Sequence, residues 1–229
     1  MQIISGVHVI PSVVVNVYLI VDDDGLTLVD VGLRGSEKRV LRYIAGLGHA
    51  PDTLKRIVIT HSDGDHVGAL AALEAATLVQ AQGKPGARVY ASAIEAEAIA
   101  AGRMSRPLKV GGLLKLLMSV TRPWFQADPA QVDECVTDGQ VLPALGGLRV
   151  VDTPGHTPGH VSYFAPSASI LFVGDSLVST GGRLRSSRGM NTWDEARALE
   201  SVRKQAALGA RIVCPAHGPV VRDAQFPQV

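Results

Sequence analysis

Four side chains able to hold a metal ion fall within six residues, in His61-Ser62-Asp63-Gly64-Asp65-His66, directly behind the apolar run Ile57-Val58-Ile59-Thr60. Imidazole suits zinc and iron, and carboxylate suits harder ions. A strand that ends in both delivers them to a sheet edge, where a coordination position can stay open for water. The arrangement recurs downstream. Residues 148–153 run into Pro154-Gly155-His156-Thr157-Pro158-Gly159-His160, residues 169–174 into Asp175, and residues 211–214 into Pro215-Ala216-His217-Gly218. Ligand-type residues at four strand ends, each beside Gly or Pro, are what a site assembled across a sheet edge requires. The chemistry they suit is metal-assisted, so the chain reads as an enzyme.

These ligands need a frame, and the intervening residues supply one. The β-branched run 13–21, the turn Asp22-Asp23-Asp24-Gly25 and the run 26–31 read as an antiparallel hairpin. Ser36 stands where a helix cap is expected, ahead of Val40, Leu41, Ile44 and Leu47 at helical spacing, with Gly48 as the stop. Residues 67–73 begin a second helix, 161–164 a further strand and 193–208 another helix. The stretch at about 102–127 is different. Arg103, Arg106, Lys109, Lys115 and Arg122 are mixed there with Leu, Met, Trp124 and Phe125. It reads as a helical and loop insertion into a single domain spanning 1–229. Such an insertion forms either a lid or substrate wall, or an ordinary amphipathic helix with its cations in water. Arg183, Arg185 and Arg188 in the 176–191 loop are open in the same way, as contacts for an anionic group or as solvated surface.

Composition narrows the class. With 46% hydrophobic residues over 229 positions the chain can bury a substantial core, and a net charge of +1 offers no broad basic field for nucleic acid. The longest tempting apolar stretch, 110–120, is too short for a bilayer span and contains Lys115. The N-terminus lacks the pattern of a secretory signal, so a cytoplasmic protein is expected, acting on a small molecule as a monomer or homodimer without membrane or nucleic-acid partners. Cys135 and Cys214 form no CxxC pair and read as buried free thiols. His8 and His49 lie outside any motif.

The succession Leu28-Val29-Asp30-Val31-Gly32, His61-x-Asp63-x-Asp65-His66, Thr153-Pro154-Gly155-His156 through His160, Phe172-Val173-Gly174-Asp175 and Pro215-Ala216-His217-Gly218 resembles the metallo-β-lactamase superfamily, in order and over nearly the whole chain. The resemblance implies an α/β fold, a four-layer αβ/βα sandwich with the metals at one edge between two sheets. It implies two divalent metal ions, zinc first. His61, Asp63 and His156 would hold one ion, Asp65, His66 and His217 the other, and Asp175 would bridge them together with a shared hydroxide. Asp30 and His160 would then orient ligands. The implied reaction is hydrolysis of an ester, thioester, lactone or related acyl bond, with Asp65 orienting the nucleophile and accepting its proton.

Asp63 departs from the family pattern, which has His there. Counting Asp63, Asp65, Asp175 and a hydroxide, four negative charges would cancel two divalent ions, and the lowered Lewis acidity favours manganese or iron over zinc. Asp is also shorter than His. Asp63 is therefore either a ligand, reached by an inward loop that Ser62 and Gly64 allow, or a residue that holds a ligand histidine. Asp175, where the main zinc β-lactamases carry cysteine, argues against antibiotic hydrolysis. The stretch after His217 is short for the helical domain of glyoxalase-type thioesterases, the inserted domain of the nuclease branch is missing, and lactonases are similar in length. Two other classes stay open: a diiron oxygen or nitric oxide reductase-like protein served by a separate electron donor, and a non-catalytic metal-binding module.

Overall fold

The computed structural model describes residues 1–10, 14–80, 86–107 and 127–228, and the structural statements below concern these. Two sheets carry the fold. The first has the order β1 (Gln2–Ile4), β2 (Val7–Ile10), β3 (Val17–Asp22), β4 (Gly25–Val29), β5 (Leu54–Val58), β6 (Arg88–Ser92) and β7 (Glu134–Val136). Its early strands pair antiparallel through the expected Asp22↔Gly25 hairpin, and β4 to β7 run parallel. The second sheet has the order β15 (Val221–Arg222), β14 (Ile212–Pro215), β11 (Ile170–Gly174), β10 (Val161–Ala165), β9 (Leu148–Asp152) and β8 (Val141–Leu142). A separate hairpin joins β12 (Leu177–Thr180) to β13 (Arg183–Ser186).

The strands most buried on both faces are continuous apolar runs, as a sheet covered on both sides demands. One face of the first sheet packs Leu19, Leu28 and Ile57 against Val40 and Ile44 of α1 (Glu37–Gly46), Leu70 and Leu73 of α3 (Leu70–Gln80) and Ile99 of α4 (Ala93–Ala100). The other face meets the second sheet through Tyr18, Ile20, Val58, Val150, Tyr163, Phe172 and Cys214. The outer face of the second sheet, with Leu171, Val173 and Val213, is covered by Val202 of α5 (Glu195–Ala206). These contacts give four layers, helix on sheet on sheet on helix. Each fully buried aliphatic or aromatic side chain here contributes about 1.5–3 kcal/mol relative to exposure.

Direction of travel explains the site. β9 and β11 both run against β10, and β14 runs with β11, so β9, β11 and β14 end at one edge. The end of β5 is clamped to that edge across the sandwich: Val161 N donates to Thr60 O at 3.0 Å, and Tyr163 OH donates to Ile59 O at 2.8 Å.

Several local expectations are corrected. Ser36 occupies the cap position of α1, but its backbone is helical and its side chain makes no capping hydrogen bond. Leu47 is exposed, while Gly48 takes the left-handed conformation that stops the helix. The helix expected over 67–73 is two pieces, α2 (Gly64–Val67) and α3, so the candidate ligands Asp65 and His66 lie inside a helical turn. Cys135 is exposed because β7 is an edge strand, whereas Cys214 is buried as expected. Most of the stretch expected to form the insertion, residues 108–126, lies outside the described residues. No described helix is long and apolar enough to cross a membrane.

Candidate metal centre

The Nε2 atoms of His61, His66, His156 and His217 converge on the common sheet edge together with Asp63, Asp65 and Asp175. Their ligand atoms form three clusters, His61 with Asp63 and His156, His61 with His66 and Asp175, and Asp65 with His66 and His217. Asp63 Oδ2 lies 3.2 Å from His156 Nε2 and 3.8 Å from His61 Nε2. Asp175 reaches toward histidines of all three clusters, with Oδ1 3.3 Å from His66 Nε2, and Oδ2 3.3 Å from His217 Nε2 and 3.6 Å from His156 Nε2. Asp65 Oδ2 is 3.4 Å from His217 Nε2.

Each imidazole is aimed by a partner on its other nitrogen. His66 Nδ1 lies 2.8 Å from Asp30 Oδ2, and His217 Nδ1 donates to the Val14 carbonyl at 2.9 Å. Thr60 Oγ1 donates to Asp30 Oδ2 at 2.8 Å, so it accepts from His61 Nδ1 at 3.0 Å. His156 Nδ1 pairs with Ser187 Oγ at 3.1 Å. Protons placed on Nδ1 leave the Nε2 lone pairs facing the centre, which is how histidine is oriented toward a metal. Asp30 itself sits at φ 57, a left-handed conformation that Asp tolerates better than most side chains. In exchange it accepts from Thr60 N, Thr60 Oγ1 and His66. His160 contributes no atom to the clusters. Its Nε2 accepts from Asp175 N at 3.1 Å and its Nδ1 pairs with Thr153 Oγ1 at 2.9 Å, so it holds the Asp175 backbone. Burial first, and the neighbouring His156 second, push its pKa down to about 3, which keeps it a neutral acceptor.

The residues fit a pair of metal ions. A tetrahedral ion with bonds of about 2.0–2.2 Å has ligand atoms about 3.3–3.6 Å apart, close to the spacings here. His61 Nε2, His66 Nε2, Asp63 Oδ1 and Asp175 Oδ1 are buried without a hydrogen-bond partner among the described residues, a costly arrangement unless a cation joins them. The electrostatics agree. Burial opposes charge on His66, yet Asp175, Asp30 and Asp65 outweigh it and hold its pKa well above the ordinary value. Hydrogen bonds to Asp175 and Asp65 take His217 up to about 10. Burial would raise Asp175, but His66 and His217 hold it well below the usual carboxylate range. The His66 and His217 end of the centre draws positive charge, so a metal entering there must displace protons, whereas burial and then His66 and His156 hold His61 well below its ordinary value.

Two residues complete the centre that spacing did not reveal. Arg106 is 6% exposed, and its Nη2 donates to Asp63 Oδ2 at 2.6 Å. Its burial departs from the solvated helix face that is one reading of this stretch. With Arg106 counted, the charge balance that favoured manganese or iron returns to one net positive charge, the value a neutral His at position 63 would give. Glu95 is fully buried, and its Oε2 accepts from Ser62 N at 2.9 Å. Its Oε1 accepts from Ser105 Oγ, Thr157 Oγ1 and Gly159 N at 2.9, 2.6 and 3.1 Å. It thereby ties the His61 loop, the His156 loop and the segment before Arg106 together. The one available signal was the spacing Ser92-Ala93-Ile94-Glu95, which reads as a helix-capping pair. Ser92 does accept from Glu95 N at 3.4 Å, but the Glu95 carboxylate turns into the site. Arg183, Arg185 and Arg188 lie exposed on and just beyond the β12–β13 hairpin, Arg188 following Ser187 in the chain.

Comparison with known proteins agrees with this geometry. A family model described as the metallo-beta-lactamase superfamily matches residues 11–217. The chain is 29% identical to the uncharacterized protein YobT of Bacillus subtilis over 91% of its own length and 85% of that protein. It is 32% identical to a hydroxyacylglutathione hydrolase of Albidiferax ferrireducens over 92% of its own length, and spans 64% of that protein. Among solved structures, a metallo-beta-lactamase family protein from Thermus thermophilus superposes with a TM-score of 0.74 at 25% identity, covering 97% of this chain and 76% of that one.

Proposed function

Since the chain belongs to the metallo-β-lactamase superfamily, we propose that it is a metal-dependent hydrolase that cleaves an ester, thioester, lactone or related acyl bond. The observation that carries this reading is the convergence of four Nδ1-anchored imidazoles and three carboxylates on one sheet edge. His61, Asp63 and His156 would hold one ion and Asp65, His66 and His217 the other, with Asp175 reaching both. When bound, the two ions would supply a water nucleophile at neutral pH and polarise the acyl oxygen.

The chain's own residues do the rest. Asp65 is the least buried of the three carboxylates, at 19% side-chain exposure. It is therefore the one able to meet an entering water, orient it and accept its proton. Asp175 is fixed from behind by His160, and His66 by Asp30, so little rearrangement is needed as charge develops on the substrate. The arginines beside Ser187 would receive an anionic part of the substrate. A relative named as a hydroxyacylglutathione hydrolase supports thioesters within this class.

The test is reconstitution of metal-free protein with zinc, manganese or iron, followed by assay against chromogenic thioesters, esters and lactones. Metal-dependent hydrolysis of one class is expected, falling at least 100-fold in Asp65→Asn. Full metal loading with no hydrolysis of any class, or oxygen consumption by the iron form without hydrolysis, would refute the reading.

A further inference from the structure

Arg106 does not reach the centre by accident of a flexible side chain. Its segment is stitched to the ligand loop just before it. Ser105 N donates to Ser62 Oγ at 3.0 Å, Ser105 Oγ donates to Glu95 Oε1 at 2.9 Å, and Glu95 Oε2 accepts from Ser62 N at 2.9 Å. The guanidinium then lies buried with Nη2 2.6 Å from Asp63 Oδ2 and 3.5 Å from His156 Nε2. Its Nε and Nη1 are buried and have no hydrogen-bond partner among the described residues, so Asp63 is its anchor.

Asp63 Oδ2 lies 3.2 Å from His156 Nε2 and 3.8 Å from His61 Nε2, so the arginine meets the carboxylate on its histidine side. An ion held by His61, Asp63 and His156 would bind the same carboxylate, whose Oδ1 is buried without a hydrogen-bond partner among the described residues. A metal there must share one carboxylate with a cation that is already in place, at close range and in a buried site where water screens little. Nothing comparable burdens the other cluster, where Asp65 and Asp175 both face His217 and no arginine or lysine is bonded to either carboxylate among the described residues.

We propose that Arg106 sets the metal affinity of the His61–Asp63–His156 site, making it the weaker of the two. The Asp65–His66–His217 site fills first, and the site beside Arg106 fills only at higher metal concentration. Asp63 and Arg106 act as a neutral unit in place of a neutral histidine. This inference rests on the ligand assignment made above, and its test separates the two.

The test is titration of the metal-free protein with zinc. It is read by competition with a chromophoric chelator and by metal content after dialysis at fixed free zinc. Wild type should bind in two steps at least 10-fold apart. Arg106→Met should tighten the weaker step at least 10-fold, because it removes a neighbouring positive charge and leaves a buried carboxylate seeking a cation, and it should leave the stronger step within about 3-fold. Asp63→His alone strands Arg106 beside a neutral ligand and should weaken the weaker step further. The double variant Asp63→His/Arg106→Met should restore it to at least the wild-type value. Should Arg106→Met fail to fold, Arg106→Gln must tighten the weaker step and Arg106→Lys, which keeps the charge, must not. A weaker step that stays put or loosens in the neutral variants overturns the role of Arg106, while a stronger step that His217→Ala abolishes leaves the ligand assignment standing. If wild type binds no zinc, the ligand assignment falls and this inference falls with it.

Discussion

Glu95→Gln is the substitution most informative about how the centre is built. The carboxylate is fully buried and accepts four hydrogen bonds, of which two come from backbone N–H groups that cannot turn away, Ser62 N on Oε2 and Gly159 N on Oε1. The hydroxyls of Ser105 and Thr157 can rotate to accept from an amide. The two backbone donors cannot both be served, because an amide has one oxygen. One N–H therefore loses a charge-assisted bond of about 1.5–3 kcal/mol and is left unsatisfied, at about 1–3 kcal/mol, partly offset by removal of a buried charge. The net loss should be about 2–4 kcal/mol. Urea unfolding monitored by tryptophan fluorescence, in the presence of chelator so that metal linkage is absent, measures it. With a slope of about 2 kcal/mol/M the midpoint should fall by about 1–2 M. A shift under about 0.3 M would refute the claim that Glu95 holds the two ligand loops together.

Three other perturbations probe separate parts of the argument. Asp30→Asn would turn an NH2 toward His66 Nδ1 and shift the ring proton to Nε2, so metal affinity should fall about 10- to 100-fold with little loss of fold, as metal titration would report. Gly174→Ala places a Cβ 2.7 Å from both His160 Nε2 and Thr60 Oγ1 at a φ of +50. It should lower the melting temperature by about 5–10 °C, equivalent to about 2–3 kcal/mol at this size. Burial, and then the Asp133 carboxylate, push Glu74 up to about 7. The folded state then keeps a proton that the unfolded chain has already released above its ordinary pKa. Stability should fall as pH rises from about 4.5 to 7 and stay lower above that, by about 1 kcal/mol once screening at this half-exposed site is allowed for. Glu74→Gln should remove the difference between pH 5 and pH 8 in paired urea melts.

Much of the frame is legible in local patterns. Strands β5, β9, β11 and β14 announce themselves as apolar runs closed by Gly, Pro and ligand-type residues, and the hairpin between β3 and β4 by its acidic turn. Burial of an entire strand leaves a signature that neighbours in the chain share. Caps do not. Ser36 has the right residue type at the right position, yet its hydroxyl makes no capping bond, because the chain before α1 already turns helically and Ser36 N donates to Leu33 O. A cap is a property of geometry one residue wide, and composition reports only that it is permitted.

The centre shows the same limit with larger consequences. Histidines and aspartates at strand ends are visible one motif at a time, but what tunes them is supplied from distant segments: Asp30 for His66, Ser187 for His156, Val14 for His217, Arg106 for Asp63. A charge balance drawn from the motif residues alone miscounts the site, because the compensating cation lies 43 residues away in a stretch whose other cations look like surface. A buried carboxylate without its counter-charge would cost several kcal/mol, so a chain that exchanges a neutral ligand for Asp must carry a positive partner within hydrogen-bond reach or a raised pKa. Asp63 has the partner, and its pKa runs the other way. Burial would raise it, but the His156 contact and the Arg106 charge hold it below the ordinary value. The departure at position 63 is thus paired with a buried cation, and that half of the pair is the one sequence spacing cannot show.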